Sequence, residues 1–431
     1  MKRGALFALA LASCHGGCSG NSADNTANEA PVDAGLHAAD ASALAAARCT
    51  KIDAHVGIGS PIDVGEAVIT SDSFAIGLLR EKNIFSVALA PLDLSKVDFV
   101  DIGTARAETA PPIPFAWDKS VYVTWIDSGA LRIGRIENGK VAMIVDETID
   151  PIAYFAKSAP TSEIPAFDVI VSGDHGVVVW DYADPTGGKI RKLAFSKSGV
   201  EKVDAGGAAF SLSPASSDAD SPRLAPRKSG GFWAIWVARK LESTADAGAI
   251  EGPGESPAFR WLEAAPLDER GNRVGEVSRL TPTTGHVSGF DVLATADGAE
   301  VVVRDATESA DNGTTISRIV LADKPGSLQL VSGEVGRSVP DVFGAKSSAG
   351  SFTWVVVPDA NDATRIVPLG APSGASPAPS VEPLLKSSRG LALRGVDAGG
   401  QLLVLRTAPN GPASPGTAPQ IAEIALVRCG L

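Results

Sequence analysis

From Cys49 onward, apolar runs of five to eight residues recur, rich in Val, Ile, Phe and Trp and separated by Gly, Asp, Ser and Pro. No stretch of a dozen residues keeps a helical period. Short apolar runs bounded by turn residues predict strands, so the pattern predicts an all-β domain. The most regular run in each region is "FAIGLLRE" (74–81), "VYVTWIDS" (121–128), "VVVWDYAD" (177–184), "FWAIWVAR" (232–239), "AEVVVRDA" (299–306), "FTWVVVPD" (352–359) and "QLLVLRTA" (401–408).

These runs are the second members of an internal repeat. A weaker strand and a tight polar turn precede each one, as in "VITSDS", "LAPRKSGG" and "LATADG". A third strand follows, as in "ALRIGRIENG" and "KIRKLAFSKSG", and six units continue into a short fourth, such as "VDFVDIG". Seven units of this kind resemble the four-stranded blades of a β-propeller across residues 49–431. The seventh unit has no fourth strand before Leu431, and "CTKIDAHVGIG" (49–59) is expected to supply it. The resemblance therefore implies a single propeller of seven four-stranded blades closed by its N-terminal strand, which removes two open sheet edges. The length of the fourth unit leaves six or eight blades open beside seven. No named propeller family fits. The WD dipeptides Trp117-Asp118 and Trp180-Asp181 do not end third strands, and the S-x-D-x-G-x-x-W box of sialidases is absent.

The first residues follow a different rule. Met1-Lys2-Arg3 and the apolar run Gly4–Ala12 form a basic and then a hydrophobic segment, too short to span a bilayer and fitting an export signal. The run stops at Leu11-Ala12-Ser13-Cys14, which resembles the lipobox of bacterial lipoproteins. That resemblance implies a signal peptide over 1–13, cleavage before Cys14, and acyl chains on Cys14 that hold the protein on a membrane. His15 stands where Asp would commonly mark inner-membrane retention, which implies the outer membrane. Cys14, His15 and Cys18 also have the order of a metal or haem site, but the His follows the wrong Cys for haem and two further zinc ligands are missing nearby. Residues 14–48 are mostly Ala, Asp, Asn and Ser, too poor in large apolar groups to offset ordering entropy, and read as a flexible tether. Cys49 starts the closing strand and Cys429 ends the third strand of the seventh unit, neighbouring points of an antiparallel pair, and in an exported chain they are expected to form a disulfide.

Charge and motifs narrow the function by exclusion. The formal net charge is −12 with no long basic run, which argues against nucleic acid. His55, His175 and His286 fall in different units, so no His-based metal site is expected. No G-x-S-x-G elbow or phosphate loop occurs, and no cofactor is implied. The seven Trp mostly lie within apolar strands and suit packing between blades. Several second strands end in acids, at Asp127, Asp184 (with Asp181), Asp305, Asp359 and Asp362. If their loops converge, they make an acidic face, although Asp in tight turns commonly caps its own backbone. Long polar loops are expected at 205–223, 240–257 and 408–419. The reading that results is a lipid-anchored outer-membrane propeller, non-enzymatic, that binds a protein partner in the cell envelope or serves as a scaffold. The alternative is a cell-surface hydrolase or lyase acting on a glycan. A central pocket with unpaired, convergent carboxylates would favour the second, and a plugged channel the first.

Overall fold

The computed structural model describes residues 48–105, 109–150, 165–184, 187–201, 210–240, 259–295, 297–306 and 314–332, together with the strand segments 341–347, 350–358, 364–369, 395–397, 401–409 and 420–430. The chain divides into two units, Met1–Asp40 and Ala41–Leu431, and the described residues all belong to the second. Cys14 and Cys18 lie outside them, as do the acids Asp359 and Asp362 and the fourth strand expected at 380–385.

The first strand, β1 (Arg48–Gly59), belongs to the last sheet. The first blade is β2 (Asp63–Ile69), β3 (Ser73–Arg80), β4 (Ile84–Pro91) and β5 (Asp98–Thr104). The second is β6 (Ile113–Trp117), β7 (Ser120–Asp127), β8 (Ala130–Glu137) and β9 (Lys140–Thr148). The third is β10 (Phe167–Ser172), β11 (His175–Asp184) and β12 (Gly187–Ser196), edged by the two short pieces β13 (Gly199–Val200) and β14 (Phe210–Ser211). The fourth is β15 (Ser217–Pro226), β16 (Phe232–Lys240), β17 (Arg260–Leu267) and β18 (Ser278–Arg279). The fifth is β19 (Val287–Thr295), β20 (Gly298–Ala306), β21 (Thr314–Leu321) and β22 (Gln329–Ser332). The sixth is β23 (Asp341–Ser347), β24 (Gly350–Pro358) and β25 (Thr364–Leu369). The seventh is β26 (Gly395–Asp397), β27 (Gln401–Pro409) and β28 (Gln420–Gly430), with β1 as its outer strand. The only helical element among the described residues is one 3-10 turn, Glu81–Asn83.

The seven sheets among the described residues are antiparallel, and their first strands touch in a closed cycle. β2 meets β6, then the contacts run β6 to β10, β15, β19, β23 and β26, and β26 returns to β2. The fold is thus an all-β propeller, and its sheets are compatible with the expected seven blades. The chain closes the ring as the repeat implied, with β1 antiparallel to β28.

Burial explains why the second strands were so apolar. Those whose side chains are described, β3, β7, β11, β16 and β20, are covered on both faces, and their side chains alternate between two neighbouring blades. In β16, Phe232, Ala234 and Trp236 pack with Val177 and Val179 of the third blade, while Trp233, Ile235 and Val237 pack with Val301 and Val303 of the fifth. In β3, Phe74, Ile76 and Leu78 join Ile58 and Ile424 of the closing sheet, and Ala75 and Leu79 join Val123 and Trp125. Trp117, Trp125, Trp180, Trp233, Trp236 and Trp261 are all buried in these seams. Two donate their indole N–H to the next blade: Trp117 to the Gly173 carbonyl at 2.7 Å, and Trp233 to the Ala322 carbonyl at 2.8 Å.

Where blades meet most closely a side chain has no room. A Cβ on Gly77 would lie 1.6 Å from the Pro112 carbonyl oxygen. Gly231 and Gly298 occupy the same place in successive blades, at φ 75° and 125°, and a Cβ on either would sit 2.2 Å from a third-strand carbonyl, that of Leu267 or Leu321.

One expectation needs correction. The stretch 205–223 was expected to be loop, yet Phe210–Ser211 and Ser217–Pro226 are strands. The sequence "SDADSPR" is polar because β15 is an innermost strand that faces the central channel, so it lacks the apolar signal of a two-sided strand. Pro222 is tolerated there because the β15–β16 register breaks between Asp220 and Arg223.

Candidate functional site at the mouth of the channel

The first strand of each blade starts at one face of the ring, where the second-to-third and blade-to-blade connections also lie. At that face a cavity of about 380 Å³ opens at the channel mouth. It is lined by Asp63, Gly65 and Glu66 of β2, Ser221, Pro222 and Arg223 of β15, and Ser288, Gly289 and Phe290 of β19, with Pro111, Phe167 and Arg260. Bulges shape it. The ladders of β2, β15 and β19 each break register at this level, between Val64 and Ala67, Asp220 and Arg223, and Val287 and Gly289. A bulge frees backbone groups from the ladder and re-aims side chains.

Carboxylates of the third blade satisfy the freed amides of the fourth. Asp181 accepts from the Ser221 amide at 3.2 Å and from the Ala166 amide at 2.8 Å. Asp168 accepts from Leu224 at 2.7 Å and from Val169 at 2.8 Å. Ser221 itself holds φ 55°. This clamp aims Arg223 into the channel, where its Nη1 lies 3.0 Å from Oε1 of Glu66. Glu66 belongs to the first blade and Arg223 to the fourth, so the ion pair spans the channel between strands that are not neighbours in the ring.

The electrostatics follow from this enclosure. Burial pushes Asp168 up to about 6, with the Arg223 charge and the Leu224 and Val169 amides opposing and Glu66 adding to the rise. Burial alone would push the Arg223 guanidinium down, but Glu66, Asp168 and Asp291 outweigh it and hold it above its ordinary value. A second cluster sits beside the cavity. Arg260 donates to both carboxylate oxygens of Asp220 at 3.2 Å, and Arg239 binds Asp218 and lies 3.9 Å from Asp220.

Of the acids expected to form a face, Asp127, Asp184 and Asp305 are described, near the ends of second strands. Asp127 is buried beside Arg132 at 3.8 Å and accepts from the Ser128 hydroxyl. Asp305 accepts the His286 amide at 2.8 Å. Asp184 ends β11 opposite Gly187. Asp127 and Asp305 thus hold a turn and a blade-to-blade connection. His55 lies on β1, His175 binds Glu201 at 2.5 Å on the opposite face, and His286 lies with its ring tilted against that of Phe259 at the mouth, so the three are in separate places. Glu66, Asp168, Arg223 and Asp291 were not singled out in the sequence. A signal existed: Phe-Asp-Val recurs at 167–169 and 290–292, a charge at one repeat position inside otherwise apolar first strands.

A propeller with a charged, strut-crossed channel mouth is the class that fold and site define. No protein-family model matches the chain, and no curated protein matches it. Among solved structures it is similar to a puromycin-hydrolyzing peptidase of Mycobacterium tuberculosis, at TM-score 0.51 and 14% identity over 85% of this chain and 54% of that one. The chain therefore spans about half the length of that structure. Weaker likenesses include an alpha-L-arabinanase of Penicillium chrysogenum complexed with arabinobiose (TM-score 0.46, 8% identity, 74% of this chain and 98% of that) and the Dos1 propeller (TM-score 0.43, 13% identity, 84% and 77%). Similarity at such identities concerns the fold and leaves function to the site.

Proposed function

We propose that this chain is an outer-membrane lipoprotein, anchored through Cys14, whose propeller is a non-catalytic module that binds a protein partner in the cell envelope. Its working surface is the mouth face. The observation that carries the reading is the disposition of the cavity's carboxylates. Hydrolysis of a glycosidic bond needs two carboxyl groups flanking the scissile bond from opposite sides. The described carboxylates lining the cavity, Asp63 and Glu66, lie three residues apart on one strand, and Glu66 is bound across the channel by Arg223. Asp168, the carboxyl whose pKa is best suited to acid catalysis, is outside the lining and has both oxygens engaged by backbone amides. A channel crossed by an ion pair suits recognition at its rim better than turnover in its depth.

The test is recovery of partners by the intact lipoprotein from its own membranes, beside a variant in which residues 241–258 are replaced by an Asn-Gly turn. These residues lie in sequence between β16, which ends at the mouth face, and β17, which starts there. A stable partner held by the wild type and lost by the variant, with unfolding stability changed by less than about 0.5 kcal/mol, supports the reading. Recovery of no stable partner by the wild type overturns it.

A further inference from the structure

We propose that Cys49 and Cys429 form a disulfide that staples the closing strand at the end where the membrane tether enters the ring. The two residues face each other in the β1–β28 ladder. Directly opposed residues of an antiparallel pair have Cα atoms about 4.5–5.5 Å apart, inside the span a disulfide bridges.

The position gives the bond a task. β1 is an outer strand, hydrogen-bonded to β28 alone. Its ladder is also irregular, with register shifts between Cys49 and Lys51, Ile52 and Ala54, and Gly57 and Gly59. By contrast, β3–β4, β7–β8, β11–β12 and β16–β17 run without a shift. The closing ladder thus has more interruptions than the ladders inside these blades. The pair Cys49–Cys429 stands one step from the ladder's first pair, Arg48–Gly430. A pull from an anchor at Cys14 reaches the ring at that end and acts to unzip the strand one pair at a time. A covalent bond there converts unzipping into loading of the whole closing sheet.

Formation is a two-electron oxidation. The two thiols lose two protons and two electrons, the S–S bond forms, and a protein disulfide of the exporting compartment is reduced to two thiols. The inference rests on the export reading for that oxidant, and the two fail separately. The experiment alkylates the full-length protein as it is isolated from membranes and maps its peptides without reduction. A peptide joining Cys49 to Cys429 supports the staple, whatever the state of Cys14. Alkylated thiols at both positions, or Cys49 joined to Cys18, overturn it, even in a protein shown to be lipidated.

Hydrogen exchange then reads the role. Reduction is expected to speed exchange of the β1 amides by about tenfold or more, leaving β7 and β8 unchanged. The Cys49→Ser/Cys429→Ser double variant should reproduce that pattern without reductant. Unaltered β1 exchange in both would overturn the staple's role.

Discussion

The two faces of the ring are built on opposite plans. On one, strands are joined by minimal turns at 118–119, 138–139, 173–174 and 197–198. Asp118, Asn138, Gly173, Gly231 and Gly298 hold positive φ in turns on this side. The indole hooks of Trp117 and Trp233 lie on this side as well. On the other face the described strands end and begin far apart in sequence, Thr148 before Phe167, Lys240 before Arg260, Ser332 before Asp341 and Pro409 before Gln420. There the first strands bulge, and charge is held inside the ring by Glu66, Asp168 and Arg223. One face spends its backbone geometry on joining strands tightly. The other keeps polar groups half-buried, the condition under which a surface can discriminate among partners.

Three measurements bear on that contrast. The largest effect is expected from Arg223→Met. It leaves Glu66, Asp168 and Asp291 around a channel without the cation that balances them, and should cost about 3 kcal/mol in urea unfolding near neutral pH. A loss smaller than about 0.5 kcal/mol would mean that water already screens the strut and that the mouth is not a low-dielectric site.

Next comes acidity. Asp168 is raised to about 6 from the ordinary 3.8. Because the folded state holds this proton more tightly than the unfolded chain, the group's contribution to stability is full below about pH 4 and is lost as pH rises through about 6. The difference in unfolding free energy between wild type and Asp168→Asn should therefore change by about 2–3 kcal/mol across that window. A difference that stays flat with pH would remove Asp168 from the buried network.

The smallest effect belongs to the turn face. Trp233→Phe keeps an aromatic group in the seam but deletes one N–H donor to Ala322 and the volume of one ring, a loss of about 1–2 kcal/mol by thermal or urea unfolding. If that substitution cost more than Arg223→Met, the turn face and not the strut would be the more demanding half.

How much of this was legible in the sequence differs by strand position. Second strands such as Phe232–Lys240 announced themselves, because burial on both faces demands an unbroken apolar run. The closing strand was legible from the repeat, since six units had a fourth strand and the seventh did not. First strands were harder. β15 borders the channel and reads "SDADSPRLAP", a turn by composition and a strand in fact. The candidate site was hidden for the same reason. The acids at second-strand ends were easy to see, but among the described ones Asp127 and Asp305 are engaged by Arg132 and by the His286 amide. The charges that shape the cavity, Glu66, Asp168 and Arg223, sit inside first strands. Their partners are three blades apart or contributed by the backbone of the next blade, and no local spacing encodes such pairings.

The joining of β1 to β28 also sets the order of events during folding. β1 is the first strand of the ring to be made and β28 the last. Their pairing is among the longest-range contacts the chain can form, and such contacts form late and slowly. Every other blade can complete its sheet from consecutive segments, whereas the seventh must wait for a strand made at the start. Until then β1 and β28 each present an unsatisfied edge, the kind of surface that recruits a second copy of the same chain.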